Sequence, residues 1–374
     1  MLQPNKACLA FSVARPQTPC MTAVLADPAD LGSVLSGWSA GHPDARAVAD
    51  VVSALAGAGA DLAEIVAAGP LTDLAPTGGT SNASGDEQKP LDLLAEAHLV
   101  AALRGLDVAA VCSEESEEPI PLTPSGSLVV TLDPVDGSSN LDINAPIGTI
   151  FSVLPTAGSA GILAAVLQPG RNQLAAGVIV YGPSTVLLLT LGEGTDVFVL
   201  NPSTRSFVRT RAGVQVPADS REYAINASNA RHWDAGIRSY VADLVDGSVG
   251  PRGRDFNMRW LGALVAETYR ILLRGGIFLY PRDDRPDFSH GRIRLVYEAN
   301  PVAFLCEQAG GLASDGVDPI LDKRPTSLHQ RTPFVFGSRT KVERVRRYVT
   351  DPSRTHEDSP LFSRRGLFRT REGA

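Results

Sequence analysis

Residues 131–153 read TLDPVDGSSNLDINAPIGTIFSV. A strand-like run (SLVVTLDP, 127–134) leads into this stretch and a second (GTIFSVLP, 148–155) leads out, so the octapeptide Asp133–Asn140 sits where a strand ends. Asp133 and Asp136 lie three residues apart across a turn that Pro134 and Gly137 enforce. Two carboxylates held this close repel each other, and such pairs persist where cations neutralise them. Hard divalent ions such as Mg²⁺ prefer oxygen ligands of this kind, and the carbonyl of Val135 offers a third. Gly137, Ser138 and Ser139 add consecutive backbone N–H groups and hydroxyls at an expected helix start, an arrangement that binds phosphate without a side-chain charge. For a bare DxxD the alternative is a capped β–turn–α connection with Asp as N-cap. The acids upstream favour the metal reading.

Those acids are Glu114 and Glu115, read as ending the strand VAAVCSEE (108–115), and Asp86 and Asp92, which flank the start of a helix. Neighbouring side chains in a strand point to opposite faces, so one glutamate is expected to join the metal cluster while the other orients water. Glu117 and Glu118 read as a solvated acidic turn. Carboxylates at a helix start also favour its dipole, which is the simpler reading of Asp86 and Asp92 taken alone.

Further from the motif, strands and helices alternate. ARAVADVVSALAGAGADLAEIVAA (45–68) repeats apolar residues at helical spacing, TGGTSNASGD (77–86) is a loop by composition, and PLDLLAEAHLVAALRG forms a helix with Pro90 in its first turn. AAGVIVYGP (175–183), STVLLLTL (184–191), REYAIN, IFLYP, IRLVYE and FVFGS read as strands. Helices are expected at about 232–245 and 261–274, in NPVAFLCEQAGG and at 339–350, and residues 202–220 read as a polar stretch. The pattern predicts an α/β fold of stacked layers in two domains.

The chain has 374 residues, a length that favours two domains. A net charge of −7 argues against a nucleic-acid binder, and no run of about 18 uncharged apolar residues marks a membrane span. The charge is divided: residues 1–204 carry 21 acids and 6 bases, residues 205–374 carry 20 acids and 28 bases. Such a chain suits collecting cations at one place and anions at another, although surface charge also drifts without purpose. Cys8, Cys20, Cys112 and Cys306 form no CxxC pair and read as reduced thiols of a cytoplasmic protein. Expected boundaries are a flexible extension over 1–20, an N-terminal α/β domain over 21–212, a C-terminal α/β domain over 213–350, and a tail over 351–374. His98 and His290 lack partners at ligand spacing and read as structural or solvated.

The central stretch resembles the metal-site signature of class I fructose-1,6-bisphosphatases, members of a wider group of Mg²⁺-dependent phosphatases that includes the inositol monophosphatases. The resemblance runs in register from about Leu55 to Val349. It takes in SGDEQKPLDLLAE, SEE, GGIFLYP, IRLVYEANPVAFLCEQAGG and LHQRTPFVFGS. It implies a layered αβαβα sugar-phosphatase fold. It also implies that Asp86, Glu114, Asp133, the Val135 carbonyl, Asp136 and Glu298 hold two or three Mg²⁺ ions, and that Asp92 and Glu115 deprotonate or position the attacking water. Residues 136–139 would lie under the departing phosphate. Asn226, Trp260, Phe278, Leu279, Tyr280 and Arg292 would surround the sugar and the distal phosphate, with Phe278 and Leu279 supplying backbone. Arg259 would reach into a neighbouring subunit's site in a homodimer or homotetramer. The bottom-up chemistry also assigns Arg259, Arg292 and Arg294 to the distal phosphate, since a guanidinium grips phosphate bidentately.

The chain departs from relatives at several places. Arg292 stands where many carry Lys, Trp260 where many carry Tyr, and Asn229 where animal enzymes have Tyr. Ser127 and Leu128 replace a Lys-Tyr pair of AMP-regulated members, and no cysteine lies between Cys112 and Cys306 to serve a redox loop. The expected reaction is Mg²⁺-dependent hydrolysis of the 1-phosphate of fructose 1,6-bisphosphate, in gluconeogenesis or the Calvin cycle. Sedoheptulose-1,7-bisphosphatase or dual activity, and more remotely a non-catalytic sugar-phosphate sensor, are the alternatives.

Overall fold

A computed structural model describes residues 29–42, 45–71, 80–81, 87–156 and 160–351. The 1–20 extension, Asp86 and the tail beyond 351 lie outside the described residues. Three helices open the chain: α1 (Leu31–Gly41), α2 (Arg46–Ala68) and α3 (Pro90–Ala102), with the short strands β1 (Thr80–Ser81) and β2 (Glu87–Gln88) paired before α3. An eight-stranded sheet follows, built from β3 (Val108–Ser113), β4 (Ile120–Pro121), β5 (Leu128–Asp136), β6 (Ile147–Pro155), β7 (Ala175–Tyr181), β8 (Val186–Thr190), β9 (Thr195–Asn201) and β10 (Ser206–Arg211), with the short α4 (Ile162–Val166) after β6. Its order is β10-β9-β8-β7-β6-β5-β3-β4, and only β3 and β5 run parallel.

The second sheet has the order β12-β11-β13-β17-β15, from β11 (Glu222–Ile225), β12 (Asn257–Met258), β13 (Ile277–Tyr280), β15 (Leu312–Ser314) and β17 (Phe334–Gly337). β14 (Ile293–Arg294) pairs separately with β16 (Arg331–Thr332). Helices α5 (Ala235–Val245), α6 (Leu264–Arg274), α7 (Asn300–Gln308) and α8 (Arg339–Thr350) complete the chain.

Side-chain alternation along the strands builds five layers from these elements. Ala175, Ile179 and Tyr181 of β7 face one core with Val51, Leu55 and Leu62 of α2 and Leu99 of α3. Ala176, Val178 and Val180 of the same strand face a second core shared with Val265 and Leu272 of α6, Val302 and Leu305 of α7, and Phe278, Phe334 and Phe336 of the smaller sheet. Ile277 and Leu279 point to the far side, where α5 and α8 close a third core around Tyr240 and Val345. The order is therefore α1–α3, large sheet, α6 and α7, small sheet, α5 and α8. Because both sheets are covered on both faces, their central strands are buried along their whole length, as in β7. At Gly148 on β6 a Cβ would lie 2.1 Å from the Ile179 carbonyl and 2.9 Å from Val265, so only glycine lets the layers meet there.

The structure differs from the sequence reading in several places. IRLVYE is a strand only at Ile293–Arg294; Leu295–Ala299 winds into a π-helical turn that runs into α7. Its β-forming residues are buried on all sides, so nothing demanded the alternation of a strand, and Asn300-Pro301 opens a helix that the turn extends backwards. The polar stretch after 201 contributes β10, which pairs with β9 at the sheet edge; its half-exposed Arg209, Thr210 and Arg211 disguise it. Neither β9 nor α1 was expected, and α1 is signalled by Asp30, whose carboxylate caps it by accepting from Ser33 N at 2.8 Å. Finally, α2 is 23 residues long with a mean hydropathy of 1.6, enough by length and composition to cross a membrane, but its apolar face is packed in the first core.

Candidate metal centre and active site

The carboxyl end of β5 and the π-helical turn before α7 converge on a cleft of about 380 Å³ between the two sheets. Oxygens of Asp133, Asp136 and Glu298 all lie within 4.8 Å of one another there, and all three side chains are largely buried. Two of them are held by backbone. Asp136 Oδ2 accepts from Val265 N at 2.8 Å, at the first turn of α6, and Glu298 Oε2 accepts from Arg294 N at 2.6 Å. The turn between the aspartates is braced by Thr149, whose hydroxyl donates to the Pro134 carbonyl at 2.8 Å. Gly137 follows at φ 76°, and a Cβ on it would lie 2.6 Å from that of Ala263, so only glycine allows both this backbone and this approach.

Glu114 and Glu115 line the same cleft beside the three acids. This corrects the expectation that they point to opposite faces: β3 ends at Ser113, and both glutamates sit in the turn after it, where strand alternation no longer applies. Arg294 is also relocated. Its guanidinium is buried against Glu114, Nη2 to Oε1 at 3.3 Å, so it balances charge at the acidic pole instead of serving the distal phosphate.

Asp92 is the third residue of α3, and Oδ2 accepts from Lys89 N at 2.7 Å. Its Oδ1 is buried with no hydrogen-bond partner and faces the same cleft. Lys89 Nζ donates to the Ser138 carbonyl at 3.0 Å and to Asp142 at 2.9 Å, tying α3 to the turn under the proposed phosphate position. Lys89 and Arg331, which also lines the cleft, were not singled out from sequence, since nothing in spacing distinguishes them from surface cations.

The electrostatics are those of buried, mutually repelling acids. Burial pushes the Asp133 carboxyl well above its ordinary range, and the charges of Glu114, Asp136 and Glu298 push it further. Asp136 and Glu298 are each raised to about 7, chiefly by burial, and Asp92 is raised to about 6 by burial against the opposing Lys89 N–H. An all-oxygen donor set, mutual repulsion and the unpartnered Asp92 oxygen fit a hard divalent cation.

A stability prediction follows. The ordinary values of Asp136 and Glu298 are 3.8 and 4.5, so folding takes up protons between those values and about 7. That contribution is present at low pH and is lost as pH rises through the folded-state pKa. In chelator the melting temperature should fall from pH 5 to pH 8, and Mg²⁺ should restore more stability at pH 8 than at pH 5. Thermal melts across that range check it; an equal Mg²⁺ effect at both ends would contradict the cage.

Opposite the acids the cleft is aromatic and cationic. Trp260 stacks on Phe278 with ring centroids 5.7 Å apart, Tyr280 meets both edge-on, and Arg292 lies over Phe288 and Tyr280. Ser138 lines the cleft, whereas Ser139 is exposed beyond it. The Leu279 side chain turns into the third core, leaving only its backbone on the site side. Asn226 caps a short 3₁₀ turn, Ala227–His232, by accepting from Ser228 N at 3.2 Å, and does not line the cleft. Arg259 does not line it either; its side chain is 47% exposed and Nε donates to Glu222 at 2.8 Å. A larger groove of about 940 Å³ beside α2 is mostly apolar, and its one carboxylate, Asp142, is paired with Lys89.

Five stacked α/β layers with an acidic cage facing a cationic, aromatic pole define a metal-dependent phosphatase. Residues 42–212 match the family described as fructose-1-6-bisphosphatase, N-terminal domain, and residues 216–350 match its C-terminal domain. The chain is 53% identical over 327 residues to the class 1 fructose-1,6-bisphosphatase of Rhizobium meliloti, covering 87% of this chain and 94% of that protein. It is 52% identical over 322 residues to that of Azorhizobium caulinodans, covering 85% and 98%. The crystal structure of Leishmania major fructose-1,6-bisphosphatase in holo form superposes with a TM-score of 0.80 at 30% identity, covering 87% of this chain and 99% of that one. The chain belongs to the class 1 fructose-1,6-bisphosphatase family.

Proposed function

We propose that this chain hydrolyses the 1-phosphate of D-fructose 1,6-bisphosphate to fructose 6-phosphate and phosphate, with two or three Mg²⁺ ions per site. The observation that carries the reading is a single cleft with a carboxylate cage at one end and Arg292 over an aromatic floor at the other. Glu114, Asp133, Asp136, Glu298 and the Val135 carbonyl would hold the ions, with Asp86 contributing to a further one. Bound there, such cations would supply charge neutralisation for the phosphoryl oxygens and the leaving alkoxide. Asp92 and Glu115 orient the attacking water, and a carboxyl poised near 6 on Asp92 suits it to take up a proton near neutral pH. Backbone of 137–139 cradles the reacting phosphate. Trp260, Tyr280, Arg292 and backbone of Phe278 and Leu279 hold the sugar and distal phosphate, and Asn226, outside the cleft lining, would join them at its rim.

We also assign two domains divided near residues 212–213, a cytoplasmic location, and a homodimer or homotetramer in which Arg259 serves the neighbouring site. Its exposure and its absence from its own cleft support the last. Arg259→Ala should raise KM more than it lowers kcat, and co-assembly with a Glu114→Gln chain should restore part of the activity, since mixed pairs regain one complete site. Verified mixed oligomers without recovery would place Arg259 in its own chain's service. Steady-state rates of the purified protein on fructose 1,6-bisphosphate and sedoheptulose 1,7-bisphosphate test the reaction itself; no phosphate release from either would refute it.

A further inference from the structure

The segment 283–292 between β13 and β14 sets a ring and two guanidinium groups beside the cleft, whereas the similar cluster of Arg252, Arg254 and Lys341 on Phe256 lies away from it. The Phe288 ring carries two guanidinium groups, Arg292 Cζ at 3.3 Å from its centroid and Arg285 Cζ at 4.8 Å. Below them Asp283, 7% exposed, accepts from Arg285 Nε at 3.0 Å and from Arg285 N at 3.1 Å, and lies 3.6 Å from Arg292 Nη2. Arg285 Nη2 donates on to Asn229 Oδ1 at 2.9 Å, on the turn that Asn226 caps, and Asp284 N donates to the His232 carbonyl at 3.1 Å at the end of that turn. Phe288 and Arg292 line the cleft; Asp283 and Arg285 stand behind them.

Two like charges on one ring repel each other. Asp283 offsets one of them, and the Arg285 hydrogen bonds hold its carboxyl below the ordinary range against the effect of burial. The excess positive charge faces the cleft. Stacking fixes the plane of Arg292, and a guanidinium with a fixed plane presents two parallel N–H donors to two phosphate oxygens without first losing side-chain freedom.

We propose that Phe288 and Asp283 are positioning residues that hold Arg292 as a preorganised two-donor clamp for the distal phosphate, and that Arg285 couples this clamp to the Asn226 turn. The inference rests on the reading of the cleft as a sugar-bisphosphate site. It makes Arg292 inseparable from its loop: a lysine there would keep the charge and lose the stacked plane.

Phe288 is only half-buried, so Phe288→Leu should fold with an unchanged melting temperature. KM for fructose 1,6-bisphosphate should then rise about tenfold, the equivalent of one weakened charge-assisted hydrogen bond, with kcat within about threefold. Phe288→Trp should restore KM, because a larger ring still stacks. The inhibition constant of fructose 6-phosphate, which carries only the distal phosphate, should rise with KM, while that of inorganic phosphate competing at the acidic pole stays constant. Asp283→Asn and Arg292→Lys should move the same two constants together. An unchanged KM in folded Phe288→Leu, or equal shifts for fructose 6-phosphate and phosphate, would overturn the clamp. If the unaltered enzyme fails to hydrolyse the bisphosphate, the functional reading falls instead, and calorimetric binding of fructose 6-phosphate to the Phe288 variants still decides the clamp.

Discussion

Glu298→Gln should lower kcat by about three orders of magnitude or more, roughly 4 kcal/mol of barrier, while making the metal-free protein more stable. The two effects have one cause. Glu298 shares a buried pocket with Asp133 and Asp136, within 4.8 Å, so a neutral amide of the same shape removes both a ligand charge and a repulsion. Gln keeps an oxygen that can accept from Arg294 N, so the π-helical turn retains its hydrogen bond. In chelator at pH 8 the melting temperature should rise by about 2 °C or more, since that corresponds to a relief of about 1 kcal/mol in a chain of this order of size. Mg²⁺ should then add less stability than it does to the unaltered protein. Wild-type rates in excess Mg²⁺ would remove Glu298 from the metal set, and a lower melting temperature in chelator would show that the acids do not repel as described.

Glu222→Gln should destabilise the fold by about 3 kcal/mol or more, the cost of breaking a buried ion-pair network from its centre. The Glu222 carboxylate is 6% exposed and accepts from Arg259 at 2.8 Å, Arg270 at 3.0 Å and Arg274 at 2.5 Å. Arg259 and Arg274 are about half exposed, so water screens their share and most of the loss falls on buried Arg270. Arg270 also pairs with Glu267, and Glu267 accepts from Leu261 N at 2.9 Å, on the loop that backs Gly137. The disturbance therefore reaches both Arg259 and the site, and KM should rise alongside. Urea unfolding with Mg²⁺ present measures the first effect. A midpoint equal to that of the unaltered protein would show that the network is decorative.

Part of the acidic cluster was legible because its chemistry is local. Asp133, Asp136 and the glycine between them and Ser138 sit in one turn, and a short-range repulsion needs no tertiary knowledge to be noticed. Glu298 lies 162 residues beyond Asp136 and was reached only through family resemblance. Its placement depends on a π-helical turn that β-forming residues conceal. Arg294 was misplaced for a similar reason: its charge is visible in sequence, but its partner Glu114 comes from the other sheet. The Arg285–Phe288–Arg292 stack was invisible because an aromatic between basic residues in a polar loop has no periodicity. The layered α/β architecture followed from alternation and its five-layer order from the resemblance, whereas the edge hairpin β9–β10 followed from neither, since edge strands tolerate polar residues that mimic a loop.

The bond from Val265 N to Asp136 has a consequence for how the protein comes into being. A ribosome delivers Asp133 and Asp136 long before it delivers Val265 and Glu298, by 129 residues in the first case. Until α6 and the turn before α7 emerge, Asp136 lacks the donor that orients it and the cluster lacks Glu298. On the proposed ligand set, cation capture waits for the C-terminal half of the chain, since the walls of the cage are translated 129 residues or more apart.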